Sequence, residues 1–182
     1  MSSPHPAICP YPDEFTEMVK LVDGTDVCLR VVKAEDELAW KDLLARSSRE
    51  SIWRRFRYLF KDVTHEMAER FCLVDYDREI PLGAEVTVDG TSQFAAVARV
   101  AWGPSRNKAD YGILVADAFQ GHGLGMLLTR KCIEICRRRG LSEVVGETTP
   151  DNHVMIHIFR TLGFTIDACM GDGIVLATLR LE

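Results

Sequence analysis

The run Gln120-Gly121-His122-Gly123-Leu124-Gly125 constrains this chain more than any other six residues in it. It follows an apolar stretch with strand character, Tyr111 to Val115, and opens a segment from about Gly123 to Arg139 with helical periodicity. The first N–H groups of a helix have no partner within it, and the helix dipole adds partial positive charge at the same place. Glycines let another molecule come close to that backbone. Elementary physics therefore describes a site for a phosphate-bearing ligand at a strand–loop–helix corner. At this level coenzyme A and a nucleotide are equally acceptable.

Two common nucleotide motifs do not fit. A P-loop needs a lysine and a Ser/Thr after its last glycine, and both are missing. A dinucleotide fingerprint spaces its glycines as G-x-G-x-x-G near the first strand of a βαβ unit. Here the glycines are each two apart, and the motif comes late in the chain.

The rest of the chain supplies the elements such a corner must be built into. Val27 to Val32 reads as the first strand, after the turn signal Asp23-Gly24. Leu38, Trp40, Leu43 and Leu44 predict an amphipathic helix over Glu35 to Ala45. A second helix starts near Arg49, with Ile52, Phe56, Leu59 and Phe60 on one face, and a third starts at the N-cap Thr64. Ile80 to Val88 and Phe94 to Trp102 form a hairpin around Asp89-Gly90. The inward face of the glycine-opened helix is Leu124, Leu127, Leu128, Cys132 and Ile135; Arg137, Arg138 and Arg139 suit its last turn, and Gly140 ends it. A strand from Val144 to Thr148, a helix from Asp151 to Leu162 and a closing hairpin around Gly171-Asp172-Gly173 complete the order. Helices interleaved with strands and hairpins imply an α+β fold, an α/β sandwich with helices covering a mixed sheet.

The length of 182 residues suits one domain, taken as residues 23–182 after an N-terminal tail of residues 1–22 that is irregular as far as about Asp13. A net charge of -5 opposes general nucleic-acid affinity. Cys9, Cys28, Cys72, Cys132, Cys136 and Cys169 form no metal-binding spacing and no disulfide framework, so no metal is expected and the thiols fit a reducing compartment. Neither a secretory leader nor a membrane-spanning run is apparent, and the expected location is the cytoplasm.

Gln120, Gly123 and Gly125 match the pattern (Arg/Gln)-x-x-Gly-x-(Gly/Ala) of the GNAT family of N-acetyltransferases. The same family continues with a strand, an Asn-opened helix and a Gly-Phe ending, as Val144 to Glu147, Asn152 and Gly163-Phe164 do here. The resemblance spans roughly Val27 to Leu181. It implies a mostly antiparallel twisted sheet of about seven strands with a splayed central pair. It implies acetyl-CoA as co-substrate, with the pyrophosphate held by backbone amides of Gly121, His122, Gly123, Leu124, Gly125 and Met126 beside Gln120. Ile113, Leu114 and Val115 would pair with the pantetheine arm, Asn152 would hydrogen-bond it or a water, and Phe159 would line the cofactor tail.

The chemistry needs a neutral amine, whereas a lysine amine has a pKa of ~10.4. A general base is therefore useful, and a backbone N–H near Val115 suits the oxyanion. Asp110 is the first candidate base; in relatives resembling bacterial protein lysine acetyltransferases a glutamate stands there, and the shorter aspartate points to a water relay. Glu147 is the second. Many family members have a tyrosine general acid where this chain has Phe159. Ser48 to Ile52, Arg55-Phe56 and Asp75 to Ile80 resemble the GNAT domain of protein lysine acetyltransferases, which modify acyl-CoA synthetases. The expected acceptor is a protein lysine, with a small amine or a non-catalytic acyl-CoA-binding role as alternatives. Asp75, Asp77 and Glu79 are candidate attractors for its ammonium, and Arg46, Arg49, Arg54, Arg55 and Arg57 a candidate docking patch.

Overall fold

A computed structural model describes residues 9–169 and 173–182. Its strands are β1 (Glu17–Lys20), β2 (Asp26–Val31), β3 (Glu79–Val88), β4 (Thr91–Trp102), β5 (Lys108–Val115), β6 (Glu143–Thr148), β7 (Thr165–Cys169) and β8 (Ile174–Arg180). They form one sheet in the order β1-β2-β3-β4-β5-β6-β8-β7. Every neighbouring pair is antiparallel except β5 and β6. The helices are α1 (Glu37–Ala45), α2 (Arg49–Phe56), α3 (His65–Cys72), α4 (Leu124–Arg138) and α5 (His153–Thr161).

Two apolar clusters fix the layers. On one face α4 and α5 bury Leu124, Leu128, Cys132, Ile135, Met155 and Phe159 against the sheet. On the other, Trp40, Leu43 and Leu44 of α1 and Ala68 and Cys72 of α3 pack on Phe94, Val97 and Leu114. Trp40 stacks on Phe71 at 4.7 Å between ring centroids. Burial holds the Cys72 and Cys136 thiols up at about 12, so both behave as small hydrophobes.

Several expectations shift. Residues 17–20, placed in the tail, form β1 and pair with β2, and Leu21 enters the core. This gives eight strands instead of about seven. Leu38 is 79% exposed; α1 buries Trp40, Leu43 and Leu44 without it. The second helix stops at Phe56, because Arg57 takes a left-handed conformation with φ 55°, and Leu59 and Phe60 fall beyond the helix. The third begins as expected, with Thr64 accepting from Met67 N–H at 3.3 Å. The turn residues Gly171 and Asp172, and the first eight residues of the tail, lie outside the described residues.

β5 and β6 pair from Lys108/Glu143 to Tyr111/Gly146 and then part. Beyond that point β5 stays bonded to β4 as far as Val115, and β6 stays bonded to β8 as far as Thr148. The central pair is therefore forked, and the fork is open toward the C-terminal ends of both strands.

Candidate active site

The fork leaves one edge of β5 unpaired. Ala116 N–H bonds to Ala95 O, so strand alternation turns the polar groups of Leu114 and Gly112 toward β4 as well. Those of Ile113 and Val115 face the gap. Gln120 Nε2 donates to the Val115 carbonyl at 3.1 Å and to Ser51 Oγ at 3.0 Å. The Ile113 N–H and C=O and the Val115 N–H are left as a short strand edge for a ligand.

The glycine loop lies at the end of that edge. Gly121 and Gly123 have φ of 79° and 87°, and a Cβ on either would meet nothing within 4 Å. Gly123 caps α4 without any side-chain hydrogen bond, so the N–H groups of Leu124, Gly125 and Met126 in the first turn are free for an anion. Gly125 has a different role: a Cβ there would lie 2.9 Å from Ile158 Cδ1, so its smallness serves the contact of α4 with α5. The His122 ring is turned away to Asp23, Nδ1 to Oδ2 at 3.0 Å, leaving only its backbone for the loop. Hydrogen bonds from Thr25 and then from His122 hold the Asp23 carboxyl down at about 2.

Two cavities meet at the fork. One, of about 410 Å³, runs along Ile113, Leu114 and Val115 past Gln120 and the loop glycines to Met126. The other, of about 440 Å³, lies between α2 and the sheet and is lined by Asp110, Glu147, Val145, Arg55, Arg57 and Phe159. Arg54, Ile113, Asn152 and Met155 border both. The unpaired edge, uncapped amides and adjoining cavity fit a long, thin ligand with a phosphorylated end.

Asp110 sits beside Val145 in the parallel register, and Glu147 is two residues further along β6, so both carboxylates share one face of the sheet. Both are exposed and open into the second cavity. Asn152 uses its side-chain oxygen to cap α5, accepting from Met155 N–H at 3.2 Å, which leaves its amide NH₂ for the slot. Phe159 differs from expectation. It is 1% exposed, packs against Tyr111 and Phe164, and borders the carboxylate cavity rather than the glycine-loop cavity. Burial pushes the Tyr111 phenol up, and its hydroxyl is held by Thr129 at 2.6 Å, away from any acid role in the slot.

Of the acidic turn, Asp77 pairs with Arg106 at 2.7 Å, Asp75 accepts from Asp77 N–H, and Glu79 pairs with Arg99. All three are occupied structurally, and none lines either cavity. The arginines divide. Arg46 binds Asp42 and the Phe94 carbonyl, and Arg54 binds Glu50 and Asp151. Arg55 and Arg57 turn into the carboxylate cavity, a placement with no signal in a run of basic residues on a surface helix.

Among the described residues no helix is long and apolar enough to cross a membrane, and no cluster of three metal-ligating side chains occurs.

Comparison with known proteins agrees with this geometry. The sequence profile of the acetyltransferase (GNAT) family matches residues 37–164. An acetyltransferase of Pseudomonas aeruginosa is 27% identical over 146 residues, covering 79% of this chain and 77% of that protein. The streptothricin acetyltransferase of Streptomyces lavendulae is 34% identical over 97 residues, 52% of this chain and 49% of the relative. Among solved structures, the GNAT domain of S. lividans PAT superposes with a TM-score of 0.84 at 26% identity, covering 94% of this chain and all of that one. The matched segment holds the glycine loop, the forked strands and the Asn152-capped helix, and with them the chain belongs to the GNAT family of acetyltransferases, enzymes that use acetyl-CoA.

Proposed function

We propose that this enzyme transfers the acetyl group to a protein lysine by direct attack of the amine within a ternary complex at the fork of β5 and β6. The observation that carries this reading is the meeting of the two cavities there: a phosphate-binding corner on one side, two carboxylates on the other, with four lining residues in common.

In this reading the amides of Gly121 to Met126 hold the pyrophosphate, and the edge of Ile113 to Val115 with Asn152 aligns the pantetheine arm. Acetyl-CoA supplies an activated acyl group when bound. Asp110, through a water, takes the proton of the incoming amine; Glu147 stands on the same wall as the alternative base. The Val115 or Ile113 N–H faces the gap where an oxyanion develops. Two carboxylates in the acceptor cavity weigh against a purely non-catalytic module. The similarity to the S. lividans domain supports a protein acceptor, as does the exposure of Asp110 and Glu147, which opens the acceptor side to a large partner. The similarity to streptothricin acetyltransferase, though it spans about half of that relative, favours the second reading of a small amine. We place the enzyme in the cytoplasm on the strength of the free thiols of Cys9, Cys28, Cys72, Cys132 and Cys136.

The test is thiol release from acetyl-CoA with an acyl-CoA synthetase as acceptor, beside polyamines and amino acids, with wild type and Asp110→Ala. Turnover with the synthetase that collapses in Asp110→Ala supports the reading. Turnover confined to small amines replaces it with the second.

A further inference from the structure

The acceptor cavity has two walls of opposite charge. Asp110 and Glu147 stand on the sheet, while Arg55 and Arg57 come from the end of α2. The neighbouring cations are already balanced: Arg54 by Glu50 and Asp151, and Arg99 by Glu79. Arg55 and Arg57 have no carboxylate within ion-pair distance among the described residues. Among the described residues, both terminal nitrogens of Arg57 are buried without a hydrogen-bond partner. A buried guanidinium lacking its bonds carries a desolvation penalty that nothing in the fold offsets, and retaining one next to a cavity points to a partner that arrives from outside.

Arg55 reaches the fork itself. A Cβ on Gly112 would lie 2.7 Å from Arg55 Cζ, so the guanidinium lies against the β5 backbone one residue past the last β5–β6 pair. The guanidinium also lies over the Phe56 ring, Cζ to centroid 4.7 Å. Desolvation there, with Arg99 nearby, lowers its pKa to about 10, so it is still charged at neutral pH and is the kind of cation an incoming anion relieves.

We infer that Arg55 and Arg57 form a carboxylate subsite, and that the acceptor carries a carboxylate beside the amine it offers to Asp110 and Glu147. An acceptor with both charges is oriented by the cavity's own polarity, whereas a bare ammonium is repelled by one wall. The fork geometry of arginine suits bidentate binding of a carboxylate. In a protein acceptor the carboxylate is an Asp or Glu side chain next to the lysine; in a small acceptor it is an α-carboxylate. The inference rests on the acyl-transfer reading for the identity of the occupant.

The experiment uses matched acceptors with wild type, Arg55→Gln, Arg57→Gln and Arg55→Lys. One arm compares lysine peptides bearing Glu or Gln beside the lysine, and the other compares free amino acids with their amides. The expected result is a carboxylate preference of at least about tenfold in kcat/KM in one arm, falling below about threefold in either glutamine variant, the preference being read as the ratio between matched acceptors within each variant. Arg55→Lys keeps part of the preference. The arm that shows it names the source. Equal rates on matched acceptors, or a preference that survives both glutamine variants, overturn the subsite. If no acceptor turns over, the transfer reading fails and the subsite is judged by glutarate at constant ionic strength. A rise in Tm of wild type that is absent in Arg55→Gln supports it, and no rise overturns it.

Discussion

Gly146 and Phe159 meet at the root of the fork: a Cβ on Gly146 would lie 2.6 Å from the ring Cζ of Phe159. The ring is 1% exposed and packs against both Tyr111 and Phe164, so displacing it disturbs both contacts. Gly146 is also the last β6 residue paired with β5, so pressure there displaces the strand that carries Glu147. Gly146→Ala is expected to destabilise the fold by about 1–3 kcal/mol, the usual cost of overpacking a core. The acceptor KM rises with it. Urea unfolding and steady-state kinetics on the same preparation check both effects.

Asp110 and Glu147 share a face but differ in their place along it. Asp110 stands in the paired stretch beside Val145, and Glu147 is one register beyond the last pair. With Asp110 as base, Asp110→Asn is expected to lower kcat/KM by roughly 10²–10⁴-fold with little change in acetyl-CoA affinity. Glu147→Gln lowers it by less than about tenfold. Asp110→Glu, which lengthens the side chain toward the amine, retains most activity. Thiol-release kinetics together with calorimetry of acetyl-CoA binding decide it; the reverse ranking would transfer the role to Glu147.

The glycines of the loop are expected to separate on substitution. Gly123 has φ 87°, so Gly123→Ala strains the backbone by roughly 1–2 kcal/mol and moves the amides that face the phosphate. Acetyl-CoA affinity drops. Gly125 is helical, and the atom its Cβ would meet is the mobile end of Ile158. Gly125→Ala therefore changes stability by less than about 1 kcal/mol, because better helix propensity offsets the contact. Calorimetric titration of both variants with acetyl-CoA distinguishes the two roles.

These contrasts show what the sequence could and could not disclose. The glycine loop, the Asn152 cap and the strand before the loop were legible because their signals are local: residue types that a turn, a cap or a β edge demands within six positions. Asp110 was singled out by its place at the start of that strand and by the family resemblance, and it lines the acceptor cavity. Gly125 was assigned to ligand approach, since its packing against Ile158 joins residues 33 apart, which spacing does not reveal. Leu38 joined the helical pattern but faces solvent, because at about 100° per residue it lies on the side of α1 opposite to Trp40, Leu43 and Leu44. Arg57 ended α2 early through a left-handed turn that propensity does not foresee, and both it and Arg55 line the acceptor cavity. Phe159 was read toward the cofactor tail, whereas long-range contacts with Tyr111 and Gly146 draw it into the core.

Acid stability should hinge on a triad far from the fork. Arg30 of β2 bonds Asp36 through both terminal nitrogens, at 2.7 and 2.8 Å, and Glu85 of β3 at 2.6 Å. Partial burial of Asp36 acts to raise its pKa, but bonds from Arg30 and the Lys33 N–H outweigh it, and the carboxyl lies below its ordinary value. A carboxyl depressed in the folded state stabilises fully above its unfolded pKa, and that contribution is lost as pH falls through the folded value. The loss should therefore begin below about pH 4. Asp36→Asn is expected to cost about 2 kcal/mol at neutral pH, less than a fully buried pair because 18% of the Arg30 side chain stays exposed. Its Tm should fall less steeply than that of wild type as the pH drops below about 4, where the unfolded carboxyl protonates first. Parallel Tm–pH profiles for the two proteins would show that Asp36 is not the group that titrates.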